Sequence, residues 1–173
     1  MLYTMRYDSL VGELLLAEQD GALAGLWIRG QKYFPESWQK DMREKPDSKL
    51  LNQTKDWLDR YFQGEKPSIR ELKLAPAGSA FRQEIWKLLC EIPYGEVTTY
   101  GELSRKIAAS RGLERMSARA VGGAVSHNPI SIIIPCHRVV GTGGSLTGYA
   151  GGLDKKIRLL QMEGVNMEEG VKI

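Results

Sequence analysis

The dipeptide Asp20-Gly21 constrains this chain more than any other short feature. It stands between the runs "GELLLAEQ" and "ALAGLWIRG", and a pair of this type between strand-like runs specifies a tight hairpin. "LYTMRYD" precedes them across "SLVG", so the first thirty residues read as antiparallel strands. The period then changes. In "SKLLNQTKDWLDRYFQG", Leu50, Leu51, Thr54, Trp57, Leu58, Tyr61 and Phe62 fall at helical spacing, and Gly64 suits the C-terminal cap. "EKPSIRELKLAPAG" carries two prolines and reads as a linker ending near Gly78. Residues 1–78 thus form an N-terminal domain, a small antiparallel sheet plus a helix. Nothing in it suggests chemistry, and its role is structural.

Residues 79–173 read as a mostly helical second domain, which makes the whole chain α+β. Ser79 caps the helix "AFRQEIWKLLCEI", in which Phe81, Ile85, Leu88, Leu89 and Ile92 share a face. Cys90 lies on the opposite face and is given no role. Thr99-x-x-Glu102 is a capping box opening "YGELSRKIAA". Ser117 caps a second helix, "ARAVGGAVSH", which Asn128-Pro129 ends. Two short helices with a basic flank suggest a helix-turn-helix, although the connector exceeds the usual span of about three or four residues. The second helix offers Ala118, Ala120, Gly122, Gly123 and Ala124, none of which can read a base edge. Such small residues admit close approach of a DNA backbone instead, and Arg119 is the one long cation on an early turn.

Composition excludes several classes. The chain has 173 residues, 42% apolar and 26% charged, with a net charge of +3. No apolar run approaches the roughly 18 residues of a membrane span, and "MLYTMRYDSL" lacks a signal-peptide pattern, so a cytoplasmic protein with no membrane association is expected. Two cysteines make no disulfide framework, and two histidines without a CxxC motif make a metal site unexpected. Within 100–120, Arg105, Lys106, Arg111, Arg115 and Arg119 face only Glu102 and Glu114. That cluster suits either a solvated face or nucleic acid.

"IPCHRVVG", residues 134–141, sets Cys136 beside His137. Neighbouring side chains in a strand point to opposite faces, so a regular strand would hold thiol and imidazole apart. "SIIIP" reads as a short buried strand, and Pro135 ends its pairing, which places the pair where strand becomes turn. "GTGGSLTGYAGG", 141–152, contains no phosphate-loop motif and reads as a tightly turned loop bordering the cysteine. The final helix, "LDKKIRLLQMEG", carries Glu163 in its last turn, where a carboxylate opposes the helix dipole.

Together, "PCHRVVG", "ARAVGGAVSHNP", "YGEVTTYGELSRKIA" and "GYAGGLDKKIRLLQMEG" resemble the O6-alkylguanine-DNA alkyltransferases, also called methylated-DNA–protein-cysteine methyltransferases. The match is close over 79–165; the first half matches in its layout of strands and helix. The resemblance implies a single-use repair protein that flips an alkylated guanine out of duplex DNA and moves the alkyl group to its own cysteine. Cys136 is then the acceptor, His137 the base acting through a water, and Glu163 the group that orients it. Asn128 braces the turn around Cys136, and Tyr100 lies at the flipped base and its phosphate. Arg119 fills the vacated space in the duplex, with Ser117, Ala118, Ala120 and Gly122 along the DNA. Pro135, Tyr149, Ala150 and Gly151 border the base pocket. Ala150 stands where the family often has serine, so backbone N–H groups of 149–152 must meet the guanine oxygen. The implied partner is double-stranded DNA containing O6-alkylguanine, met by a monomer without cofactor.

Two other classes fit part of the sequence. A cysteine hydrolase would use Cys, His and Glu as a triad but leaves the basic helix pair unexplained. A transcription regulator would use the helix pair but lacks base-reading side chains on 117–128. A catalytically silent relative carries tryptophan at the acceptor position, where this chain has Cys136.

Overall fold

A computed structural model describes residues 1–166. Its chain divides into two units, Met1–Ala77 with Pro129–Ile133, and Gly78–Asn128 with the chain from Ile134 onward. The expected second domain ran unbroken from 79 to 173. The segment 129–133 instead groups with the first unit, and the last seven positions lie outside the described residues.

In the first unit, β1 (Leu2–Ser9), β2 (Gly12–Gln19) and β3 (Ala22–Ile28) pair antiparallel, as the hairpin signals require. Asp20 and Gly21 both take positive φ, 52° and 77°, the geometry of a two-residue hairpin turn whose twist matches its strands. A fourth strand, β4 (Met42–Glu44), makes the sheet mixed, because it joins β1 in parallel after the stretch 29–41. The sheet order is β3-β2-β1-β4. Every residue of β3 is buried, and its outer edge is covered. Leu23 N donates to Lys73 O and Leu26 N to Pro129 O, while Ser131 N donates to Leu26 O. These bonds explain why 129–131 belongs to this unit, since an edge strand left open would expose unpaired backbone groups. Helix α1 (Lys49–Phe62) is capped by Ser48, whose Oγ accepts from Leu51 N at 3.1 Å and donates to Glu18 Oε1 at 2.6 Å. Its buried face is Leu51, Thr54, Trp57, Leu58 and Tyr61.

The second unit is helical: α2 (Ala80–Cys90), α3 (Tyr100–Ser110), α4 (Ala118–Ser126) and α5 (Leu153–Met162). Ser79, Thr99 and Ser117 each cap the helix that follows, accepting from the N–H three residues on. The Glu102 carboxylate pairs with Arg105 rather than with the backbone of Thr99. On α2 the buried residues are Ile85, Trp86 and Leu89, and Trp86 Nε1 donates to Ala124 O of α4 at 2.8 Å. Helices α3 and α4 pack on each other and on α2, with Leu103, Ile107, Val121 and Val125 buried. Two short strands, β5 (Thr98–Thr99) and β6 (Val139–Val140), pair in parallel and tie the start of α3 to the chain just after the Cys-His pair.

The expected strand over "SIIIP" is not formed. Ile130 alone bridges to Leu26, and the chain then turns, with Ile132 at φ 72°. A β-branched residue adopts that angle only where its surroundings over-determine it. Here Ile132, Ile133 and Ile134 are all buried, so burial of three large side chains offsets the strain.

Candidate active site

The turn leads into a single 3-10 turn, Cys136–Arg138, which follows Pro135 and precedes β6. This tight turn lets consecutive residues serve one site. Asn128 sits at the other end of the excursion. Its buried Nδ2 donates to Ile134 O at 2.8 Å, joining the residue where the chain leaves the second unit to the residue where it returns. Ile134 O also accepts from Cys136 N at 2.8 Å, so Asn128→Ala removes one of its two bonds, at a cost of about 0.5–1.5 kcal/mol. A urea titration should show this as a lower midpoint at unchanged slope; an unchanged midpoint would mean that the brace contributes nothing.

His137 is 0% exposed, and its Nε2 lies 2.7 Å from Glu163 Oε2. Arg138 meets the same carboxylate with two nitrogens, Nε to Oε1 at 2.8 Å and NH2 to Oε2 at 3.0 Å. Its remaining nitrogen donates to Ile92 O, and Gly95 N donates to Glu163 Oε1. Burial pushes the Glu163 carboxyl up, but the bonds and charges of His137 and Arg138 outweigh it and hold the group well below the usual carboxylate range. Burial pushes the His137 imidazole down, against the opposing pull of Glu163. The pair is therefore a neutral imidazole donating Nε2–H to a carboxylate. Its Nδ1, also buried, meets no hydrogen-bond partner among the described residues. That nitrogen carries the lone pair and is the basic atom of the site.

The helix end places Glu163 with care. Gly164 takes φ 82°, its N–H bonds Gln161 O, and Val165 N bonds Leu160 O. This cap fixes Glu163 as the residue that closes the helix, just past Met162, with its side chain buried. The unfavourable carboxylate at the helix end is thus met by four donors rather than by solvent.

Cys136 is buried. Burial pushes its thiol up, while Asn128, the charge of Lys156 and Tyr149 pull it back. Left alone it is a protonated thiol, so it becomes a nucleophile only through a base. Tyr100, at the start of α3, is raised by burial and by the charge of Cys136, and hydrogen-bonds Thr147 of the 141–152 loop. His137 and Glu163 are thus in direct contact, Asn128 holds the carbonyl two residues before Cys136, and Tyr100, Asn128 and Tyr149 are near enough to the thiol for its charge and theirs to influence one another. Ala150 and Gly151 follow Tyr149 in the loop and are partly buried. Cys90 is half-buried, its thiol pushed up to about 11 by burial and by Glu91, which leaves it inert.

Ser117, Ala118, Arg119 and Ala120 lie apart from this cluster, exposed on the first turn of α4. Gly122 and Gly123 have ordinary helical backbone, and a Cβ built on either meets nothing within 4 Å. Packing within the chain requires neither glycine, although each costs a helix about 1 kcal/mol relative to alanine.

Sequence reasoning missed Lys156 and Thr147 and left Arg138 without an assignment. The signal for Lys156 was present. With Leu159, Leu160 and Glu163 it falls on one stripe of α5, and a lysine on a buried stripe is not a surface residue. Among the described residues no cluster could hold a metal ion, and no helix is long and apolar enough to cross a membrane.

Fold and site define a protein that keeps a buried cysteine beside a carboxylate-held imidazole, in one unit with a helix-turn-helix. The chain belongs to the 6-O-methylguanine DNA methyltransferase family. Residues 80–165 match the family's DNA binding domain and residues 1–76 its ribonuclease-like domain, so the kinship extends well beyond the signature blocks. The methylated-DNA–protein-cysteine methyltransferase of Methanosarcina acetivorans is 40% identical over 166 residues, covering 94% of this chain and 99% of that protein. That of Mycobacterium tuberculosis is 41% identical over 94% of this chain and 93% of its own length. The crystal structure of Mycobacterium tuberculosis OGT in complex with DNA superposes with a TM-score of 0.79, at 38% identity over 93% of this chain and 92% of that one.

Proposed function

We propose that this chain repairs DNA by taking an alkyl group from O6-alkylguanine onto Cys136, once per molecule. One observation carries the reading: His137 turns Nε2–H to an ionised Glu163 and leaves Nδ1 free to accept a proton beside a buried thiol. His137, through a water, takes the Cys136 proton. The thiolate attacks the alkyl carbon, the S–C bond forms, and the C–O bond breaks with its electron pair passing to guanine O6. The departing guanine takes up a proton, for which the Tyr100 hydroxyl is the donor. The sulfur ends as a thioether with no bond that water cleaves, so one chain acts once. No electron changes hands between partners, and the step uses no cofactor.

The same reading gives α4 its work. Lesions arise in any sequence, and a helix with small residues and no base-reading group binds without sequence preference. The glycines that internal packing does not require suit a face against which another backbone comes close. Ser117, Ala118, Ala120 and Gly122 line that face, and Arg119 enters the gap left by the flipped nucleotide, offsetting an unstacking cost of a few kcal/mol. Pro135, Tyr149, Ala150 and Gly151 border the base. The chain acts as a monomer in the cytoplasm, with residues 1–78 as a structural domain.

Arg119→Ala separates flipping from chemistry. Transfer from duplex DNA carrying O6-methylguanine should fall steeply, while reaction with free O6-benzylguanine, which needs no flipping, stays near the wild-type rate. Equal losses on both substrates would place Arg119 in the folding or in the pocket.

A further inference from the structure

The five cations of 100–120 divide once their partners are placed. Arg105 pairs with Glu102 on α3. Arg111 meets Glu84 of α2 with two nitrogens, each at 3.2 Å, and its guanidinium lies over the Phe81 ring, 5.1 Å from the centroid. Lys106 lines a cleft with Glu91 and Glu96. Arg115 and Arg119 remain. Both are exposed, and among the described residues neither pairs with a carboxylate. They stand on either side of Ser117, the N-terminal cap of α4, Arg115 two residues before it and Arg119 two after. Glu114 is the one acidic residue nearby, and it pairs with neither. Two arginines against one glutamate leave 113–120 with a surplus positive charge, which draws a polyanion.

The connector that carries Arg115, residues 111–117, is longer than the usual span of about three or four residues, yet it is braced. Its first residue is fastened to α2 by Glu84 and Phe81. Leu113 N donates to Ala108 O of α3 at 2.8 Å, and its last residue, Ser117, accepts from Ala120 N. A side chain on a braced segment loses less freedom on binding than one on a loose segment. Arg119 has a part in the proposed function, and Arg115 has none. We infer that Arg115 is a second DNA contact: its guanidinium takes a backbone phosphate beside the first turn of α4, and the long connector presents it there. The inference rests on the proposed function, which brings α4 against duplex DNA. The two arginines then divide the work. Arg119 enters the gap in the stack, and Arg115 fixes the register of α4 on the duplex without reading sequence. A guanidinium suits this, since its planar fork meets two phosphate oxygens at once.

Binding of the full chain to an undamaged DNA duplex, measured between about 0.05 and 0.2 M salt, tests this. Arg115 is exposed and bonds no side chain among the described residues, so Arg115→Ala should keep the fold, which circular dichroism checks. With one phosphate contact fewer, one counterion fewer is released. The slope of log affinity against log salt should therefore fall in magnitude by about 0.9, and affinity at about 0.15 M salt by about fivefold. Lys106→Ala removes the same charge from the same pair of helices and should leave the slope unchanged. Transfer from duplex DNA carrying O6-methylguanine should regain the wild-type rate in Arg115→Ala at saturating DNA, and reaction with free O6-benzylguanine should not change. Those two readings separate Arg115 from Arg119. A folded Arg115→Ala protein with an unchanged slope overturns the inference. An equal fall in Lys106→Ala also overturns it, since the effect would then be one of net charge. So does a transfer rate that stays low at saturating DNA, which would place Arg115 in flipping. Wild-type protein that transfers the methyl group, beside an unchanged slope in Arg115→Ala, refutes only the contact assigned to Arg115. Wild-type protein that transfers nothing refutes the proposed function itself.

Discussion

Cys136→Ala should abolish alkyl transfer while leaving affinity for duplex DNA within a few-fold. Transfer is lost outright because no other thiol is equipped for it. Cys90 is half-buried at the end of α2, and its pKa lies further from neutrality than that of a free cysteine. DNA affinity should survive because the proposed function places it in phosphate contacts and the exposed face of α4, and a group that acts on bond making contributes little to ground-state binding. Gel-shift titrations at fixed salt, alongside a transfer assay, read the two quantities separately. A large loss of affinity in the alanine variant would make Cys136 part of the binding surface. Residual transfer would place the nucleophile elsewhere.

The second large effect concerns the base. His137→Ala should slow transfer about 10²–10⁴-fold, the range for removing a general base. Glu163→Gln should slow it less, since an amide neither fixes the same tautomer nor stabilises the imidazolium. It also takes the charge partner from buried Arg138, so each variant needs its fold checked by circular dichroism and denaturation. The double variant should cost about as much as His137→Ala alone, because Glu163 has nothing to orient once the ring is gone. Effects that multiply would show that the 2.7 Å contact between the two is structural, and that activation of Cys136 comes from other groups.

The parts of this molecule that could be read from its sequence are those fixed by local chemistry. Caps at Ser79, Thr99 and Ser117 and the Asp20-Gly21 turn each depend on a few neighbouring atoms. The path through 129–134 does not. It reads as a strand because isoleucines favour strands, yet its first residues complete the edge of β3, a hundred positions earlier, and the rest turn back through Ile132. The site divides in the same way. Cys136, His137 and Glu163 stand out through a motif and an ill-placed carboxylate. Arg138 and Lys156 carry long charged side chains whose default is solvent, and their burial follows from partners on other elements: Glu163, Ile92 O, Val139 O and Gly148 O. Lys156 is legible only when its place on the stripe of Leu159, Leu160 and Glu163 is weighed above its charge.

Transfer to one cysteine, once per chain, separates this protein from an enzyme that turns over. Intact mass, measured before and after incubation with excess duplex DNA containing O6-methylguanine, tests it most directly. Each chain should gain one methyl mass and then react no further, with the added group on the peptide containing Cys136. Methyl on the peptide containing Cys90, or DNA demethylated beyond one equivalent of protein, would contradict it.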